Sequence, residues 1–174
     1  MSQLSGVASA THAWATALEG TGAQIRDTRK TVPGLRVLQK YAVRCGGGVN
    51  HRMGVGDEAL IKDNHIAEAG SITRAVEAIR VAAPEIFIEV ECDNFDQVRE
   101  AIDAGVKLVL LDNMSPDEMR EAVAITKPAG VKTEASGGLT IKDAEAVGGV
   151  GVDYVSVGAL THSAKVLDLG LDIS

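Results

Sequence analysis

"IFIEVECDNFDQVREAIDAGVKLVLLDNMSPDEMREAV", residues 86–123, decides the fold class. Two β-prone runs, "IFIEVEC" (86–92) and "KLVLLDN" (107–113), each lead into a helical stretch. The first helix is predicted over about 95–104. The second is opened by "SPDE" (115–118), with Ser115 as N-cap and Pro116 at the first helical position, where its missing N–H does no harm. A strand followed by a helix, repeated at this spacing, means parallel strands joined by right-handed crossovers.

The same rhythm continues outward in both directions. Upstream, "ALIKDN" (59–64) precedes a helical stretch at 71–83, and "AQIRDT" (23–28) is a short strand. Downstream, "VKTEASGG" (131–138) leads to "TIKDAEAV" (140–147), and "VDYVSVGAL" (152–160) closes the series. Residues 3–20 read as an alanine-rich helix that stops near Gly20 and Gly22. "PGLRVLQKYAVR" (33–44) reads as a helix, with Pro33 near its start and Leu35, Leu38 and Val43 at helical spacing. "CGGGVNHRMGVG" (45–56) is loop or hairpin. Gly148, Gly149 and Gly151 weaken the end of the last full helix. The expected fold is α/β: one domain over residues 1–174, an incomplete or partly open (β/α) barrel of parallel strands, TIM-barrel-like, with an N-terminal helix. Six strands are fewer than the standard eight, and no GxGxxG follows the first strand, which argues against a dinucleotide fold.

Composition sets further bounds. Hydrophobic residues make up 45% of the 174 and aromatics only 3%, so the core is expected to consist of Ala, Val, Ile and Leu. No apolar run is long enough to span a bilayer and no secretory signal is evident, which points to the cytoplasm. Cys45 and Cys92 are expected to be two buried free thiols rather than a disulfide. Trp14 and Tyr41 are expected in the core or at an interface. A formal charge of −7 argues against nucleic-acid binding. The charge is uneven, however: residues 24–66 hold eight Lys/Arg against four acids. One part of an acidic molecule is built for an anion.

In barrels the functional side chains stand at the C-terminal ends of the strands. Read in order, those ends offer Arg26, Asp27, Arg29 and Lys30; then Lys62, Asp63 and His65; then Glu89 and Glu91, which share one face of a strand. Asp112 and Asn113 follow, then Glu134, Ser136, Gly137 and Gly138, and finally Ser156, Gly158, Thr161 and His162. Arginine and lysine suit carboxylates or phosphates. Glu91 and Asp112 are suited to Mg²⁺ or sugar hydroxyls, or alternatively to a salt-bridge network with Arg52 or Lys62. The late glycine and hydroxyl loops suit phosphate. His51, His65 and His162 lack zinc spacing.

"DTRKT" (27–31), "GGGVNHR" (46–52) and "LIKDNH" (60–65), followed by "EVEC" (89–92), "LLDNMSPDE" (110–118), "EASGGL" (134–139) and "VDYVSVGALTHS" (152–163), resemble the quinolinate phosphoribosyltransferase family from about Leu4 onward. The resemblance implies a decarboxylating pentosyltransferase. It would join quinolinate to 5-phosphoribosyl-1-pyrophosphate (PRPP), giving nicotinate mononucleotide, pyrophosphate and CO₂ for NAD synthesis. It implies Mg²⁺ as cofactor, and a homodimer or larger assembly. It places Thr28, Arg29, Lys30, His51, Arg52 and Lys62 around quinolinate. Glu91 and Asp112 would face ribose and magnesium and, with Lys62, be catalytic. Ser136, Gly137, Gly138, Gly158, Ala159 and His162 would hold phosphate. Set against the resemblance, the family's N-terminal domain, which covers the partner's barrel mouth, is expected to be missing from these 174 residues. Two other readings stay open: a related phosphoribosyltransferase for another nitrogen base, and an inactive phosphate-binding fragment.

Overall fold

The computed structural model describes residues 1–172. Helix α1 (Ser2–Ala17) is followed by β1 (Gln24–Arg26), α2 (Arg36–Cys45), β2 (Glu58–Ile61), α3 (Asp63–Ala69) and α4 (Ile72–Ala82). Then come β3 (Phe87–Cys92), α5 (Phe95–Asp103), β4 (Leu108–Asp112), α6 (Pro116–Thr126) and β5 (Lys132–Ser136). The short α7 (Ala144–Gly148), β6 (Tyr154–Ser156) and the single turn α8 (Ala159–His162) complete the chain. The helix starts have local causes. Ser115 accepts the Glu118 amide and Glu118 returns a bond to Ser115, a reciprocal cap with Pro116 at the first position. Ser71 and Asn94 cap α4 and α5 in the same sense; such a cap is worth about 1 kcal/mol.

All six strands are parallel, in the order β1-β6-β5-β4-β3-β2. That order is cyclic: the sheet curls as a barrel and stops where β1 should meet β2. One isolated bridge, Arg26 to Val49, occupies part of that opening. The partly open TIM-like barrel read from the sequence is therefore the fold. The helix after β2 is the main local difference, because α3 precedes α4 and the two are separated by Gly70 at φ 89°.

Alternation along the strands sorts the two faces. Ile25, Ile61, Val90, Val109, Leu111, Ala135 and Val155 point outward into the apolar layer beneath the helices and are almost fully buried. Burying a side chain such as Leu111 contributes roughly 1.5–3 kcal/mol. Trp14 belongs to this layer, whereas Tyr41 lies on the exposed face of α2. The expectation for the cysteines needs one correction. Cys92 is buried at the end of β3, but Cys45 is exposed, because the last residue of α2 faces away from the sheet. Burial pushes the Cys92 thiol up to about 12. Among the described residues no helix is long and apolar enough to cross a membrane.

The inner face is not apolar. Arg26, Glu89 and Glu134 turn into the barrel and are buried, with Glu58 close by. The Ala/Val/Ile/Leu core therefore describes the layer outside the sheet, and charges fill the space inside it.

Candidate active site

At the C-terminal ends of the strands lies a cavity of about 270 Å³. Thr28, Arg29 and Lys30 enter it from the segment after β1, His51 and Arg52 from the glycine-rich segment, and Lys62 from the end of β2. Glu91, Asp112 and Ser136 come from β3, β4 and β5. These nine residues, each expected from the sequence at a binding site, share one wall-to-wall space. Leu60, Leu110 and Ser156 also line it. The two leucines were not expected at a site, although alternation marks them: each lies two residues before an expected polar residue, Lys62 or Asp112, on the same strand face.

Gly137, Gly138, Gly158, Ala159 and His162 do not line this cavity. They stand beside it at the ends of β5 and β6. Gly158 is crowded: a Cβ there would meet His162 Nε2 at 3.1 Å and Lys30 Cδ at 3.2 Å. At Gly137 (φ 108°) a Cβ would sit 2.3 Å from Asn113 Oδ1. Asn113 itself is the one non-glycine described residue at positive φ, 54°, and its N–H donates to Ser136 O (3.1 Å). This tight pairing fixes where the ends of β4 and β5 aim Asp112 and Ser136.

The cations are gathered without enough partners. Lys62 pairs with Glu91. Arg52 Nη1 donates to Glu58 O (3.2 Å), and Arg29 Nε is buried with no hydrogen-bond partner. Burial, then the neighbouring Arg29, lowers the pKa of Arg52 from its ordinary value. A basic pocket in this condition is suited to an anion.

Below the cavity floor, His51 Nε2 lies 3.0 Å from Glu89 Oε2 and 3.5 Å from Glu134 Oε1. Arg26 pairs with Glu134 and lies 4.0 Å from Glu58. His51, Glu89 and Glu134 are close enough to suggest a metal centre. The His51 ring argues otherwise, since its Nδ1 accepts the Arg52 amide N–H (2.7 Å). That leaves the ring proton on Nε2, so no lone pair faces the acids. Arg26 is the cation of this group. Burial lowers the His51 pKa and raises that of Glu89 well above the usual carboxylate value. Burial, then repulsion from Glu89, pushes Glu134 from 4.5 up to about 7.

A pH dependence follows. Between the unfolded value of 4.5 and about 7 the folded state holds a proton at Glu134 that the unfolded chain has lost. Folded stability therefore falls as pH rises through this window, by on the order of 3 kcal/mol. Urea melts of Glu134→Gln between pH 4.5 and 7.5 should show a flatter profile; an unchanged slope would assign the dependence elsewhere.

With that geometry in hand, comparison with known proteins is decisive. The family profile described as quinolinate phosphoribosyl transferase, C-terminal domain, matches residues 7–172. The chain belongs to the quinolinate phosphoribosyl transferase family. It is 54% identical over 173 residues to the nicotinate-nucleotide pyrophosphorylase [carboxylating] of Mycobacterium leprae, covering 98% of this chain and 61% of that protein. It is 50% identical to the probable enzyme of the same name from Bacillus subtilis, covering 99% and 60%. The crystal structure of nicotinate-nucleotide pyrophosphorylase from Ehrlichia chaffeensis superposes with a TM-score of 0.93 at 44% identity, over 99% of this chain and 63% of that one. The chain thus spans about 60% of the length of the curated relatives it matches.

Proposed function

We propose that this chain is the barrel portion of an enzyme that transfers phosphoribose from PRPP to quinolinate with decarboxylation, yielding nicotinate mononucleotide, pyrophosphate and CO₂. One observation carries the reading. Arg29, Lys30, Arg52 and Lys62, from three separate segments, converge with His51 on one cavity at the mouth of a parallel barrel. Quinolinate carries two adjacent carboxylates, and this cation set matches them. Leu60 and Leu110 offer apolar surface to the ring between the charges.

The chemistry needs little from the protein as an acid or base. The pyridine nitrogen supplies its own lone pair to the ribose anomeric carbon as the bond to pyrophosphate breaks. Positive charge develops on the sugar, and Glu91 and Asp112 stabilise it electrostatically. The alkylated ring then accepts the electron pair left at C2 as CO₂ departs, and a proton takes its place. Arg52 and its neighbours hold the remaining carboxylate in position meanwhile. Ser136, Gly137, Gly138, Gly158, Ala159 and His162 are proposed to hold phosphate groups beside them.

Glu91 and Asp112 fit a magnesium ion. They are oxygen donors on neighbouring strands lining one cavity, and magnesium takes few carboxylates while keeping waters and phosphates. When bound it supplies neutralisation of the pyrophosphate charge. Lys62 pairs with one oxygen of Glu91, and the other oxygen would be the one offered to the ion. We further propose a homodimer or larger assembly, as the family resemblance implies, working in the cytoplasm, which two free thiols suit.

Isothermal titration tests the reading. Quinolinate should bind at least tenfold more tightly than nicotinate, which has one carboxylate fewer; a charge-assisted contact is worth about 1.5–3 kcal/mol. Equal affinity for the two acids would favour a transferase acting on another base.

A further inference from the structure

Helix α2 buries Ala42 and Val43 but is unusual in its middle. Val37, Leu38 and Tyr41 are exposed, while the adjacent polar residues Gln39 and Lys40 are fully buried. A lysine is rarely buried to 1% without a specific partner. Lys40 has two. Its ammonium donates to Asp27 Oδ1 and to His51 O (2.8 Å).

Asp27 extends the contact. Its Oδ1 also accepts the His51 N–H (2.9 Å), and its Oδ2 accepts Asn50 Nδ2 (2.6 Å). Asn50 Nδ2 in turn reaches Lys40 O (2.9 Å). The result is a closed knot tying α2, the end of β1 and residues 50–51. Asp27 lies two residues before Arg29, and His51 directly precedes Arg52. The anion-gripping side chains on two segments are thus indexed to one buried ion pair.

This knot sits where the sheet offers least support. β1 and β2 do not pair, and among the described residues the intervening segment meets the sheet in a single backbone bridge, Arg26 to Val49. A buried ion pair contributes little net stability, because desolvating both ions offsets their attraction. What it does supply is direction. Lys40 does not line the cavity, so it acts only through the residues that do.

We propose that Lys40 is a positioning residue that sets the carboxylate-gripping geometry of Arg29, His51 and Arg52 through Asp27 and the backbone at 50–51. This rests on the quinolinate reading above and deepens it. The neighbouring Gln39 provides a control. It is equally buried, but its Oε1 accepts the Val32 N–H (2.9 Å) and its Nε2 donates to Thr161 O (2.7 Å), away from His51.

The test compares quinolinate and nicotinate affinities for wild type, Lys40→Met and Gln39→Leu, each checked for folding by thermal melting. Lys40→Met should bind quinolinate about 30-fold more weakly, with the preference for quinolinate over nicotinate collapsing toward unity; this corresponds to losing one charge-assisted contact of about 2 kcal/mol. Gln39→Leu should lose comparable stability yet keep the preference. A folded Lys40→Met protein with wild-type preference overturns the proposal, as does equal loss of preference in both variants. If Lys40→Met does not fold, Lys40→Gln decides, because the shorter, uncharged amide cannot reproduce the paired contacts of the ammonium with Asp27 and His51 O. A fivefold or greater fall in preference supports the proposal, and a wild-type ratio overturns it. Failure of the wild-type chain to bind quinolinate would instead remove the functional reading itself, together with the positioning role that rests on it.

Discussion

Arg26→Met is expected to lower the melting temperature by on the order of 10 °C at pH 8, above the value of about 7 at which Glu134 gives up its proton. Among the described residues Arg26 is the one Lys or Arg pairing with the carboxylates inside the barrel: it bonds Glu134, lies 4.0 Å from Glu58 and also covers the Tyr154 ring at 4.6 Å. Glu134 and Glu89 are fully buried, and both Glu89 oxygens already lack a hydrogen-bond partner. Removing one member of a buried charge group costs about 3–5 kcal/mol, because the others are left uncompensated. For a chain of this size each kcal/mol corresponds to about 2–4 °C. Adding Glu134→Gln should restore half or more of the loss, since the amide carries no charge to be stranded. A single variant melting within 2 °C of wild type would show that Arg26 is not the counter-ion of this cluster.

The second large effect concerns binding. Arg52→Ala should weaken quinolinate binding about 100-fold, since a guanidinium can make two parallel charge-assisted bonds to a carboxylate, worth about 3 kcal/mol together. The fold should tolerate the change. Arg52 is only partly buried, its one side-chain hydrogen bond among the described residues is to Glu58 O on the edge strand β2, and its removal relieves Arg29 of a like-charged neighbour. Calorimetry with quinolinate and nicotinate, alongside circular dichroism, measures both halves. Undiminished quinolinate affinity in a folded Arg52→Ala protein would count decisively against the proposed function.

These two arginines illustrate what could be read from sequence. Arg52 stood in a conspicuous motif between glycines, beside a histidine, in a basic segment of an acidic chain, and the cavity contains it. Arg26 stood at a strand end with equal prominence, yet it turned out to hold the interior charges together. Both are arginines in short polar surroundings, and only the curl of the sheet separates them. Glu89 and Glu91 make the same point. Their spacing placed both on one strand face, but not at different depths, where one lies buried against His51 and the other pairs with Lys62 at the cavity. Leu60 and Leu110 were overlooked for the opposite reason: an apolar strand residue reads as core, and only alternation with Lys62 and Asp112 marks the face that lines the cavity.

The sequence by itself determined the alternation of strands and helices, their parallel sense and the partly open barrel. Those features follow from short-range periodicity, capping residues and the steric preference for right-handed crossovers, all of which are local. It also determined, through three ordered motifs, the family and the set of cations. Tertiary structure alone decided which charges meet. The closing of β1 onto β6, and the gap left at β2, bring Arg26 onto Glu134 across more than a hundred residues and fold Lys40 under His51. Electrostatic pairing depends on distance in space, which sequence spacing does not encode.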